Sequence, residues 1–119
     1  MMRIAVSFAL ALVVTAAAAG GATAHHGWTS YHSDRTVTLA GTVREAAFEH
    51  PHATLRLESE GRIWMVILPP PTRAVPMGLN AQTLTAGTSV TIVGHPHRSV
   101  EDEVRATRLV MAGRTYQLR

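Results

Sequence analysis

Beyond residue 35 the chain is cut into short runs of Val, Leu, Ile and Thr, and most of them end at a proline or a glycine. No stretch carries a helical apolar period long enough for a crossover between parallel strands. That punctuation confines the fold to a small all-β architecture. Thr36 to Phe48 alternates through Val37, Leu39, Gly41 and Val43, and Gly41 predicts a bend or bulge there. His50-Pro51-His52 interrupts, because proline cannot pair within a central strand. Ala53, Leu55 and Leu57 then alternate with polar residues, as in a half-buried strand. Ser59 to Gly61 is a turn. Arg62 to Leu68 carries the continuous apolar run Ile63-Trp64-Met65-Val66-Ile67, which predicts a central strand in a hairpin with its predecessor. Pro69-Pro70-Pro71 stops it.

Thr72 to Thr85 lacks strand alternation, and Leu79 to Leu84 fits a short helical turn. Ser89 to Gly94 is the next strand, broken by His95-Pro96-His97. An acidic turn, Ser99 to Glu103, leads to strands at Val104 to Met111 and Arg114 to Leu118, with Gly113 between them. Five or six strands with one brief insert after the third suit a small OB-like barrel. The pattern Leu84-x-x-Gly87-x-x-Val90-x-x-Val93-Gly94 agrees with that reading. A small β-sandwich is the alternative.

The first two dozen residues stand apart. Arg3 precedes an uncharged stretch from Ile4, and Ala22-Thr23-Ala24 is an A-x-A cleavage pattern. Residues 1–24 therefore read as a secretory signal peptide, 25–35 as an N-terminal arm and 36–119 as the barrel domain. A retained anchor is the competing reading, but no basic stop-transfer residue follows. Cleavage after Ala24 would leave 95 of the 119 residues, enough for one small core. Export predicts a periplasmic location, with the membrane met only through the signal peptide.

Composition removes several classes. There is no cysteine, hence no disulfide framework and no thiolate site. The formal charge is +3, and all eleven basic residues are Arg. They are scattered among acids rather than clustered, which argues against nucleic acid as a partner. Histidine is the anomaly. All seven lie after Ala24: His25, His26, His32, His50, His52, His95 and His97.

Three histidine groups point to a metal ion as partner. After cleavage at Ala24, His25 offers an α-amine and an imidazole, a pair that chelates Cu(II), with His26 or a loop histidine as third donor. Nitrogen-rich tetragonal sites favour Cu(II) or Ni(II). Cleavage after Ala22 would place His25 third from the amine, which also binds Cu(II). His50-Pro51-His52 and His95-Pro96-His97 each put two imidazoles on one face of an extended segment, with Cα atoms roughly 6–7 Å apart. Such pairs suit copper, with zinc as the alternative. The plainer reading is that proline ends a strand and histidine fills a wet rim. His32 has Asp34 nearby, where a carboxylate can orient a metal-bound imidazole, yet the segment reads as an ordinary exposed turn. Trp64 reads as core, and Trp28 as packing the arm or meeting a ligand. Glu101, Asp102 and Glu103 read as a solvated face. The chain has no G-x-S-x-G, H-E-x-x-H, P-loop or G-x-G-x-x-G pattern, so an enzyme is not expected.

Nearly all of His25 to Leu118 resembles a group of small exported bacterial proteins catalogued as domain of unknown function 6152. The similarity lies in His25-His26-Gly27-Trp28, in Val37 to Val43, in Pro51-His52, in Trp64, in the Leu84/Gly87/Val90/Gly94 pattern and in Ala112 to Tyr116. The chain departs from that pattern at His50, where asparagine is usual, and at Pro69-Pro70-Pro71, where a more polar segment is usual. The resemblance implies export and a small β fold, and it implies no reaction. Two functions follow as expectations. One is Cu(II) capture or delivery through His25, with His26 and His52 and then His50, His95 or His97 as further donors. The other is a non-catalytic OB-like module for a small ligand or a periplasmic partner protein, with Pro69 to Met77 as its contact loop.

Overall fold

The computed structural model describes residues 27–119; residues 1–24, read as the signal peptide, and His25 and His26 lie outside the described residues. Six strands form one sheet: β1 (Val37–Phe48), β2 (Ala53–Ser59), β3 (Arg62–Ile67), β4 (Ser89–Pro96), β5 (Glu103–Met111) and β6 (Arg114–Gln117). Their order is β3-β2-β1-β4-β5-β6, and a further parallel pairing of β3 with β5 closes the first five into a barrel. The extra strand β6 extends β5 beyond the closure. The fold is all-β and OB-like, and among the described residues one α-helix occurs, the four-residue α1 (Pro71–Ala74).

Alternation sets the core. Ala53, Leu55, Leu57 and Ser59 of β2 point inward, as do Val90 and Ile92 of β4. Buried Ser59 satisfies its hydroxyl on the Ala40 carbonyl at 2.7 Å. In β5 the inward set runs Val104, Ala106, then Leu109. The change of parity comes from an extra residue, Thr107, where the β4–β5 register shifts. A second bulge falls at Arg44 of β1, between Val43 and Glu45.

Two close approaches shape the wall. A Cβ on Gly41 would overlap the Glu58 carbonyl, and one on Gly94 would overlap the Arg105 carbonyl. The bend expected at Gly41 is thus a crossing point, and the bulge itself sits three residues later at Arg44.

Three expectations need correction. Arg62 to Leu68 is not a central strand: Ile63 is 47% exposed, and β3 meets β5 only over Met65–Ile67. In a closed barrel every strand keeps an outward face, here Ile63, Met65 and Ile67. His95-Pro96-His97 does not break β4, which pairs through Pro96. β1 reaches only to Val37, opposite Gly94, so Pro96 lies beyond the β1–β4 ladder, at a sheet edge that tolerates proline. The helix lies at Pro71–Ala74 rather than at Leu79 to Leu84, because proline's fixed φ suits a first helical turn. Leu79 to Leu84 is a capped turn. Asn80 Oδ1 accepts the Gln82 and Thr83 N–H groups, and the Leu84 N–H reaches the Asn80 carbonyl at 3.0 Å. Its two leucines are buried in the core.

Candidate functional site

The open edge of β4 is where the N-terminal arm docks. A single 3-10 turn, Trp28–Ser30, leads into Tyr31, which bridges to His97. The His32 N–H donates to the Pro96 carbonyl and the Arg98 N–H to the Ser30 carbonyl, both at 2.9 Å. The arm is therefore a short added strip of sheet rather than an irregular tail. Tyr31 is only 2% exposed. Its hydroxyl donates to Glu103 Oε2 at 2.8 Å, and its ring meets the His97 ring edge-on. Burial pushes the Tyr31 hydroxyl far above the usual phenol range, and the Glu103 carboxylate adds to the effect.

Trp28 fixes the start of the arm. The Arg105 and Arg119 guanidinium carbons lie 4.3 and 4.1 Å from its ring centre, and His95 meets it edge-on. Cation–π contacts of this kind are worth about 0.5–2 kcal/mol each. The two positive charges are consequently within roughly 8 Å of each other, a repulsion of about 0.5 kcal/mol in water and about 2 at an effective dielectric of 20. Burial lowers the Arg105 pKa, Tyr31 works against that, and Arg119 adds to it.

The histidines divide by what their nitrogens do. His95 Nδ1 lies 2.6 Å from the Arg35 carbonyl. A carbonyl can only accept, so Nδ1 carries a proton, and in the neutral ring the lone pair is on Nε2. That is the tautomer of a metal ligand whose other nitrogen is held by a backbone oxygen. His97 is committed to its own loop. Its Nδ1 accepts the Ser99 and Val100 N–H groups at 3.0 and 2.9 Å, and Nε2 sits 3.8 Å from Glu103. His32 has Asp34 at 3.8 Å, with the Asp34 side chain 80% exposed.

His50 is exposed and His52 half-buried, with its Nδ1 shielded from solvent, in the loop after β1. The pairing Thr54–Ile67–Arg105–His95 separates that loop from the end of β4 by three strand spacings, roughly 14 Å around the wall. The two His-Pro-His triplets are therefore carried by strand ends that do not pair with each other. Among the described residues no three His, Asp or Glu side chains converge as a metal set.

Between the arm and the barrel lies a cleft of about 310 Å³, lined by Trp28, Tyr31, His32, His95, Arg98 and Arg119 along with two hydroxyl residues. Among the described residues no acid lines it. His32 and His95 both line the cleft, and His97 is not in its lining. A second, shallower groove lies on the outer face of β2 and β3, between Arg56, Ile63, Met65 and the loop residues Glu101 and Asp102. Arg62 spans its edge to Asp102.

Sequence reasoning missed Tyr31, Arg105, Arg119 and Glu103. Glu103 is not part of a solvated face: its side chain is 18% exposed and carries the Tyr31 hydroxyl. The available signal was the alternation Glu103-Val104-Arg105, which puts the acid and the arginine on one face of β5. Nothing in the sequence said that Tyr31 would cover them.

A family model described as "Family of unknown function (DUF6152)" matches residues 11–105. No curated protein matches. Among solved structures, TiaS in complex with a transfer RNA and ATP is similar at 16% identity and a TM-score of 0.52, over 71% of this chain and 19% of that one. A ZRD-deleted mutant of TiaS in complex with agmatine is similar at the same identity and TM-score, over 71% of this chain and 26% of that one. The chain thus spans about a fifth of one TiaS structure and about a quarter of the other, and at this identity the likeness is one of fold.

Proposed function

The chain belongs to this family of unknown function, DUF6152, and we propose that it is an exported, periplasmic protein that captures or delivers Cu(II) where the arm meets the barrel. The observation that carries the reading is His95. The Arg35 carbonyl holds its Nδ1–H, and the lone pair on Nε2 remains to bind. His32 lines the same cleft. Only Gly27 separates the His25-His26 pair from Trp28 of this cleft in the sequence. Removal of residues 1–24 gives His25 a free amine next to its imidazole. An all-nitrogen donor set of this kind favours Cu(II) over other common divalent ions, with zinc as second choice.

The arginines around Trp28 act against a bare dication. The metal would therefore be held by inner-sphere nitrogen bonds rather than by attraction to charge. His50 and His52 do not line this cleft and stand outside the proposed set.

The test is Cu(II) titration of the mature protein against a competing chelator, followed by electron paramagnetic resonance. One equivalent should bind with several nitrogen donors in the spectrum. His25→Ala and His95→Ala should each weaken binding by at least about tenfold, the order seen when a ligand or its support is lost. His50→Ala should leave it unchanged. Unchanged affinity and spectrum in His95→Ala would overturn the assignment and favour a small-ligand or partner module.

A further inference from the structure

We infer that the arm cleft is also a binding site for a small oxyanion, a carboxylate or phosphate group, gripped by Arg98 and Arg119. The inference goes beyond metal capture and does not depend on it.

The side chains that line the cleft are cationic or neutral. Arg98 and Arg119 line it with His32 and His95, and among the described residues no Asp or Glu does. Of the nearby acids, Glu103 accepts the Tyr31 hydroxyl, and Asp34, 3.8 Å from His32, is absent from the lining too. Two further features make this more than a charged surface. The fold draws the guanidinium groups of Arg105 and Arg119 onto one indole ring. Like charges gathered at a concave site raise the local concentration of anions. Arg98 is also held in place, since its Nε donates to the Thr29 carbonyl at 3.0 Å. The remaining guanidinium nitrogens keep their fork of donors for an oxyanion. A cleft of about 310 Å³ is at the small end of ligand sites. It suits one acidic group on a small molecule and not a polymer.

The test uses the full mature protein stripped of metal with a chelator and kept at constant ionic strength. Inorganic phosphate and acetate are titrated separately against chloride, and the Trp28 indole N–H and the His95 ring signals are followed by nuclear magnetic resonance. At least one of the two anions should give a saturable one-site shift at both probes, and which one does identifies the phosphate or the carboxylate class. Arg119→Gln should weaken binding about tenfold, the loss expected for a charge-assisted hydrogen bond. Arg98→Lys, which keeps the charge but not the fork, should weaken it also. Arg56→Gln, on the outer face of β2, should not. Shifts that never saturate, or an equal loss from Arg56→Gln, would mean diffuse charge attraction only and would overturn the site. Because metal is absent throughout, a failed copper titration leaves this result standing, and the reverse.

Discussion

Replacing Tyr31 by Phe removes one oxygen atom from the joint between arm and barrel. The ring would keep its edge-on packing against His97, at a centroid distance of 5.0 Å. What disappears is the 2.8 Å hydrogen bond to Glu103. A bond to a charged acceptor is worth about 1.5–3 kcal/mol. Glu103 keeps some water, with 18% of its side chain exposed, and His97 Nε2 stands at 3.8 Å, too far to replace the bond. The lower half of the range applies, about 1.5–2 kcal/mol. For a domain of this size that lowers Tm by roughly 6–16 °C. Urea unfolding followed by near-ultraviolet circular dichroism would measure it, with an unchanged m value. The pH dependence supplies a second check. The Tyr31 pKa is raised on folding, so its contribution is fully present below the ordinary phenol pKa of about 10 and is lost as pH rises toward the folded value. The gap between wild type and Tyr31→Phe should be constant from about pH 7 to 9, in that window, and narrow above about 10. A gap below about 0.5 kcal/mol at neutral pH, or one that stays constant into strong alkali, would refute the burial argument.

Other perturbations separate the arm from the barrel. Gly94→Ala forces a Cβ into the Arg105 carbonyl and should cost about 3 kcal/mol or more, or prevent folding; a wild-type urea midpoint would contradict the close approach. Trp28→Ala removes the platform under Arg105 and Arg119. Amide exchange at His32, which bonds the Pro96 carbonyl, should then speed by at least about tenfold, equivalent to roughly one or two kcal/mol of local opening. The Leu57 amide should exchange as before. His97→Ala takes the shared acceptor from the Ser99 and Val100 N–H groups, so limited proteolysis should newly cut the loop between β4 and β5, while cutting elsewhere stays unchanged.

How far the sequence carried can be judged from particular residues. Alternation in Ala53-x-Leu55-x-Leu57 and Val90-x-Ile92 announced the inward faces, because a two-residue period has few other meanings. The strand count and the OB-like closure followed from it. The apolar run in β3 misled, since a barrel strand can leave Ile63 outside without a helix to cover it. Pro96 misled because β1 does not reach it, so its missing N–H costs nothing in the β1–β4 ladder. The site was legible in part. The seven histidines stood out as a set, with His95 and His97 behind His25, His26 and His52, and Trp28 stood out as a packing residue. The buried Tyr31–Glu103 bond was not legible, as it joins residues 72 positions apart. Charges that look solvated in a line of text become buried only when another segment folds over them.

Native mass spectrometry of the protein exported by its own type of host tests the central claim most directly, because one spectrum gives the N-terminus and the bound metal together. The account predicts a chain that starts at His25 and carries a single copper that survives mild chelation. A chain that stays bare after stoichiometric copper is added would contradict it.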